Sequence, residues 1–397
     1  MFKLLREYIN LILKAVKVED KEYLFISLPK FLTDFKNIII EEANKYNLKE
    51  VYINEVDVFK KHDLMKELSQ EEINNNPYFD NSVFNKYALL DSAFVFIESN
   101  VPNLMNDIDP IKIKSTNEHI RSTEKDFRNL YENNKLNWCI AGAANSYWAS
   151  DLNMEIDVLW KYIFDICLVD GVSDSYIKWQ DKIKLLNLNA DKLNNYHFKY
   201  LKYSNSLGTD LTVYLPKGHI WASGDENGVL VNLPTEEVFT SPDYLKTTGI
   251  VYSSKPLIFN NVTINNFWLK FQDGKVVDFD ALEGKEVLKG IIEFDDYSCY
   301  LGECALVSYN SPINNTGIVF KETLYDENAS CHLALGTGFS ECVHGGLERE
   351  NESIRELGVN FSKTHVDFMI GTRDLKVIGV TEDNREITVI ENGNIII

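Results

Sequence analysis

The chain has 397 residues, 45% of them apolar and 25% charged, with 9 prolines and 20 glycines. That is the composition of an ordinary globular protein, long enough for two domains, and it excludes an extended disordered chain. The formal charge of −20 argues against a nucleic-acid partner, because phosphate binding draws on clustered Lys and Arg, and no apolar run approaches the ~20 residues of a membrane span.

At the N-terminus, Leu5, Ile9, Ile12 and Val16 recur at helical spacing and predict an amphipathic helix, while Lys3, Arg6, Glu7 and Lys14 break up the apolar core of a signal peptide. Apolar runs at residues 23–28, 51–53, 91–97 and 137–140 read as buried strands, and the intervening stretch 31–46 and the later stretch 151–168 have helical period. This alternation predicts an α/β domain, β-α-β units around a mainly parallel sheet. Neither G-x-G-x-x-G nor a Walker A loop is present, so a nucleotide cofactor is not expected. The six cysteines (Cys139, Cys167, Cys299, Cys304, Cys331 and Cys342) lie in apolar runs without C-x-x-C spacing. They are expected to be reduced, buried thiols in a cytoplasmic protein.

From about residue 201 the texture changes to short strands and hairpins. Asp273-Gly274 separates two strand-like runs, and Asn392-Gly393 does so again near the C-terminus. The expected division is therefore 1–200, an N-terminal α/β domain, and 201–397, a C-terminal α+β domain with a mixed or antiparallel sheet.

The second half embeds metal-ligand residue types in apolar sequence, where such groups persist only if paired or bound to a cation. His365 and Asp367 sit two apart in a strand-like run, so both side chains leave one face. Glu303 lies inside Leu-Gly-Glu-Cys-Ala-Leu-Val at 301–307, and His332 follows Cys331 in a run of small apolar residues. Between Pro234 and Pro242, one of Glu236 and Glu237 can face inward if the segment is extended. Each feature has a plain alternative by itself: a hydrogen-bonded pair, a buried ion pair, a core histidine, a solvated turn. Together with Glu327 they form an oxygen and nitrogen donor set without thiolate, suited to Zn, Co or Mn in a two-metal hydrolase. No H-E-x-x-H helix is present. A rival set, a cysteine hydrolase using Cys331 with His332 or His365, also stands on residues alone.

Pro-Thr-Glu-Glu-Val-Phe-Thr (234–240), Leu-Gly-Glu-Cys-Ala-Leu-Val (301–307), Asp-Glu-Asn-Ala-Ser-Cys-His-Leu-Ala-Leu-Gly (326–336) and His-Val-Asp-Phe-Met-Ile-Gly (365–371) occur in this order. In these segments the chain resembles the thermophilic metallo-aminopeptidase family of bacteria (aminopeptidases T, S and PepS). The resemblance implies a dinuclear centre with Glu237, Glu303, His332, His365 and Asp367 as ligands and Glu327 as a further carboxylate. It implies an exopeptidase holding two divalent ions, Zn or Co, acting on short peptides, and a homodimer. Glu303 or Glu327 would manage the proton. One departure from the family is Phe339, where the resemblance leads one to expect a tyrosine able to hydrogen-bond an oxyanion. That departure leaves open a peptide-binding homologue with little or no turnover.

Overall fold

The computed structural model describes residues 1–226, 228–259 and 262–397. The chain divides into two compact units, one of residues 1–180 with 225–234, the other of residues 181–224 with 235–397. The change of texture near residue 200 marks the end of the long helix Ser175–Tyr196 and the start of the strand Phe198–Ser204.

In the first unit, β1 (Tyr23–Pro29), β2 (Glu50–Val56), β3 (Ser92–Glu98) and β4 (Asn137–Gly142) form a parallel sheet in the order β4-β3-β1-β2, with the short strand Asn232–Leu233 parallel to β4 at the edge. Helices cross between successive strands, for example Thr33–Ala43 between β1 and β2. Leu24, Phe25 and Ile26 are consecutive and all buried, as expected of a strand covered on both faces. One core gathers Phe25, Phe84, Tyr87, Phe94, Phe127 and Trp138, each burial of such a side chain being worth about 1.5–3 kcal/mol against exposure. The N-terminal helix, Phe2–Ala15, buries Ile9 and Ile12 as the spacing predicts. The single helix expected over 151–168 is instead two, Ser146–Asp151 and Ile156–Ile166. Asn153 has φ of 55°, a left-handed turn that Asn tolerates and that ends the first helix.

The second unit contains two antiparallel sheets, so the α/β plus antiparallel architecture expected from the sequence is present. The larger, nine-stranded sheet includes the hairpin of Val262–Gln272 with Lys275–Glu283. Its turn residues Asp273 and Gly274 have φ of 49° and 79°, the two positive values a type I′ turn needs. Gly274 is also fixed by space, since a Cβ there would lie 1.8 Å from the carbonyl oxygen of Tyr244. Asn392-Gly393 closes the last hairpin in the same way, with φ of 51° and 74°. The smaller sheet runs β8-β7-β6-β5, where β5 is Val238–Thr240, β6 Leu301–Leu306, β7 His332–Gly336 and β8 His365–Met369, with Ala222–Ser223 at its edge. All neighbours in it are antiparallel.

Candidate metal centre

Strand register assembles the centre on one face of the small sheet. His332 on β7 pairs with Ala305 on β6 and Met369 on β8, Ala334 pairs with Glu303 and Asp367, and Gly336 pairs with His365. Paired residues share a face, so Glu303, His332, His365 and Asp367 emerge on the same side. The alternate residues Cys304, Leu306, Leu333, Leu335, Val366 and Phe368 are buried behind them. Ala305, Ala334 and Gly336 are small, which leaves space between the acidic groups directly above the sheet. A register shift between Leu301 and Glu303 leaves Gly302 as the extra residue of a β-bulge, a device that re-aims the following side chain. A Cβ on Gly302 would lie 2.0 Å from the Thr337 carbonyl oxygen, and one on Gly338 would lie 2.8 Å from the Gly302 carbonyl oxygen. Glu237 precedes β5, and Glu327 opens the short 3-10 turn Glu327–Ala329 just before β7.

The distances describe two groups that share one residue. His332 Nε2 lies 3.1 Å from Glu237 Oε2 and 3.9 Å from Glu303 Oε1. His365 Nε2 lies 3.2 Å from Glu303 Oε2 and 3.1 Å from Asp367 Oδ1. Glu237, Glu303 and His332 thus offer ligand atoms within 4.8 Å of one another, and so do Glu303, His365 and Asp367. Both imidazoles are oriented from behind: Nδ1 of His365 donates to the Thr337 carbonyl at 2.8 Å and Nδ1 of His332 to the Ser330 carbonyl at 3.3 Å. This leaves each Nε2 directed at carboxylates, the arrangement that metal-binding histidines adopt.

The charge distribution fits cations. Glu237, Glu303 and His332 are 6%, 4% and 1% exposed, and among the described residues no Lys or Arg pairs with any of the four carboxylates. Burial pushes Glu303 up to about 7, against the opposing hydrogen bond of His365. Glu327 is raised by burial and by the nearby charges of Asp367 and Glu237. Burial also opposes a charge on Asp367, but His365 overcomes it and holds the group low. His332, which burial alone would depress, is carried to about 10 by Glu237 and its acidic neighbours, and His365 is raised by Asp367 and Glu303. Two imidazolium ions would still leave the four carboxylates Glu237, Glu303, Glu327 and Asp367 under-compensated, whereas two divalent ions would supply four positive charges. The residues present therefore fit a divalent-metal pair.

The other residues marked in the sequence fall as follows. Glu236 turns away from the centre and pairs with Lys182, which resolves the choice between the two adjacent glutamates. Phe339 rests on the His365 ring at 5.2 Å between centroids and edge-on to Phe239 at 5.2 Å, while its N–H donates to Ser241 Oγ at 2.8 Å. His344 is exposed. All six cysteines are free and buried. The thiol of Cys331 donates to the Val307 carbonyl at 3.2 Å and accepts the Val307 N–H at 3.3 Å. Burial pushes it up to about 12, so it is a structural thiol and the cysteine-hydrolase alternative is withdrawn. Asn328, buried beside Glu327, lies within the 326–336 segment, but nothing in the sequence alone marks its amide as used.

Comparison with known proteins gives one consistent family. The sequence profile of the thermophilic metalloprotease (M29) family matches residues 2–395. Aminopeptidase AmpS of Bacillus subtilis (strain 168) is 35% identical over 395 residues, covering 96% of this chain and 95% of that protein. Aminopeptidase 2 of Geobacillus stearothermophilus is 34% identical over 404 residues, covering 99% and 97%. The solved structure of wild-type AmpT from Thermus thermophilus matches with a TM-score of 0.88 at 26% identity, covering 100% of both chains.

Proposed function

The chain belongs to the thermophilic metalloprotease (M29) family and is a metal-dependent aminopeptidase, and from that premise we propose that it releases N-terminal residues from short peptides at a two-metal centre. The observation that carries the reading is that Glu303 is common to both ligand groups, one oxygen directed to each. Glu237 and His332 would hold one ion, His365 and Asp367 the other, and Glu303 would span them. Two such ions, Zn, Co or Mn by the chemistry of the donors, would supply Lewis acidity there, lowering the pKa of a bound water and polarising a carbonyl.

Proton transfer falls to Glu327. Glu303 has one oxygen 3.2 Å from His365 Nε2 and the other 3.9 Å from His332 Nε2, whereas among the described residues the Glu327 carboxylate accepts a hydrogen bond only from the Asn328 amide, at 3.3 Å. It stands beside the ligands, partly exposed, where it can take a proton from the attacking water and return it to the leaving amine. Phe339 lacks a hydroxyl and supplies no hydrogen bond to an oxyanion; its ring packs against the His365 ring. The same reading places the protein in the cytoplasm as a homodimer, without nucleic-acid or membrane partners. Among the described residues no helix is long and apolar enough to cross a membrane.

The test is metal content per chain measured with release of free amino acids from di- and tripeptides. Two divalent ions per chain, activity lost on chelation and restored by metal, are expected. Full hydrolysis by rigorously metal-free protein would sink the proposal.

A further inference from the structure

Asn328 is 0% exposed, and every polar atom of its carboxamide is engaged. Oδ1 accepts the backbone N–H of Glu236 at 2.8 Å. Nδ2 donates to the Leu324 carbonyl at 3.0 Å and to Glu327 Oε1 at 3.3 Å. One short side chain therefore joins two parts of the centre that reach it from distant sequence. One is the segment before β5, where Glu236 leads into Glu237; the other is the 3-10 turn carrying Glu327. The far side of the first segment is tied down separately, by the Glu236 carboxylate on Lys182.

We propose that Asn328 is a positioning residue, which holds Glu237 and Glu327 in fixed relation and so sets the affinity of the centre for divalent ions. The inference rests on the two-metal reading above. Only a carboxamide offers an acceptor and two donors in so short a side chain. Aspartate keeps the acceptor for the Glu236 N–H but loses both donations and sets a like charge against Glu327; serine is too short to span the two arms. Hydrogen-bonded supports of metal ligands are each worth roughly 10–100-fold in metal affinity.

The experiment titrates metal-free wild type and Asn328→Asp with Co²⁺ alone, by calorimetry, at a temperature where far-UV circular dichroism shows both proteins folded. Binding by Asn328→Asp about 10–100-fold weaker than wild type is expected. A dissociation constant within about threefold of wild type, or tighter, overturns the assignment even if the variant melts earlier, because a merely structural role lowers Tm without moving the affinity of the folded protein. Should Asn328→Asp fail to fold, Asn328→Ser is titrated against the same criterion. Wild type that takes up no Co²⁺ overturns the two-metal reading itself, and is thereby distinguished from failure of the Asn328 assignment.

Discussion

Replacing Glu303 by Gln keeps the shape of the side chain and removes its charge, and the structure gives opposite consequences with and without metal. In the metal-free protein, burial lifts Glu303 from an ordinary 4.5 to about 7. An acid whose affinity for its proton is raised by folding stabilises the fold while protonated, below about pH 4.5, and that contribution is lost as pH rises through about 7. At pH 8 the ionised group therefore costs the metal-free fold up to about 3 kcal/mol. The substitution removes that cost, less whatever His365 loses on keeping Asp367 as its remaining acidic partner. Glu303→Gln is expected to melt a few degrees above wild type at pH 8 in chelator, with the gap closing as pH falls towards 5. With metal the order reverses: wild type gains about 2.7 kcal/mol at a metal concentration a hundred times Kd, and the variant gains little because both ligand groups have lost their shared member. Hydrolysis of an aminoacyl reporter falls by at least about 10²-fold. Calorimetric scans in chelator and in excess Zn²⁺ read both signs. A variant that melts below wild type in chelator at pH 8, yet keeps the full metal-induced rise, would refute the reasoning.

Ala334 lies between Glu303 and Asp367 on neighbouring strands, so Ala334→Val places two methyl groups in the space between the carboxylates. A cost of about 1–3 kcal/mol in stability and a reduced metal-induced shift in Tm are expected, read by the same scans. Cys331→Ser is expected to turn over within about threefold of wild type, because the thiol serves only as a hydrogen-bond partner of Val307; loss of activity in correctly folded protein would reinstate the thiol. Phe339→Tyr adds a hydroxyl to a ring already against His365, and a rise in kcat with KM nearly unchanged is expected, to a ceiling of about 10²–10³-fold for one oxyanion donor. An unaltered kcat would show that the ring does not face the reacting carbonyl.

Features with a local periodic cause were legible in the sequence. The His365–Asp367 pair follows from period-two alternation, and the Asp273-Gly274 and Asn392-Gly393 turns follow from positive φ at adjacent positions. The parallel sheet follows from apolar runs separated by helical ones. What the pattern does not carry is pairing at long range. Glu236 and Glu237 are indistinguishable until Lys182 is seen to claim the first, some fifty residues upstream in the chain. The bulge at Gly302 depends on the Thr337 carbonyl across β7, and the break at Asn153 depends on a single left-handed residue inside an otherwise helical stretch. Asn328 escaped because a buried amide is informative only once its three partners are in place. Convergence of the acidic and imidazole groups was carried by resemblance rather than by spacing, since antiparallel register, which brings them together, is set by the whole sheet.

The interlocked glycines have a mechanical consequence. Gly302 sits in the strand that presents Glu303, and Gly338 adjoins Phe339 in the segment that borders β7; each leaves no room for a methyl group against the other's backbone or its immediate neighbour. Strand and border are thus seated on one another like the two halves of a clasp. Motion that withdrew the aromatic ring would therefore disturb the strand that presents Glu303.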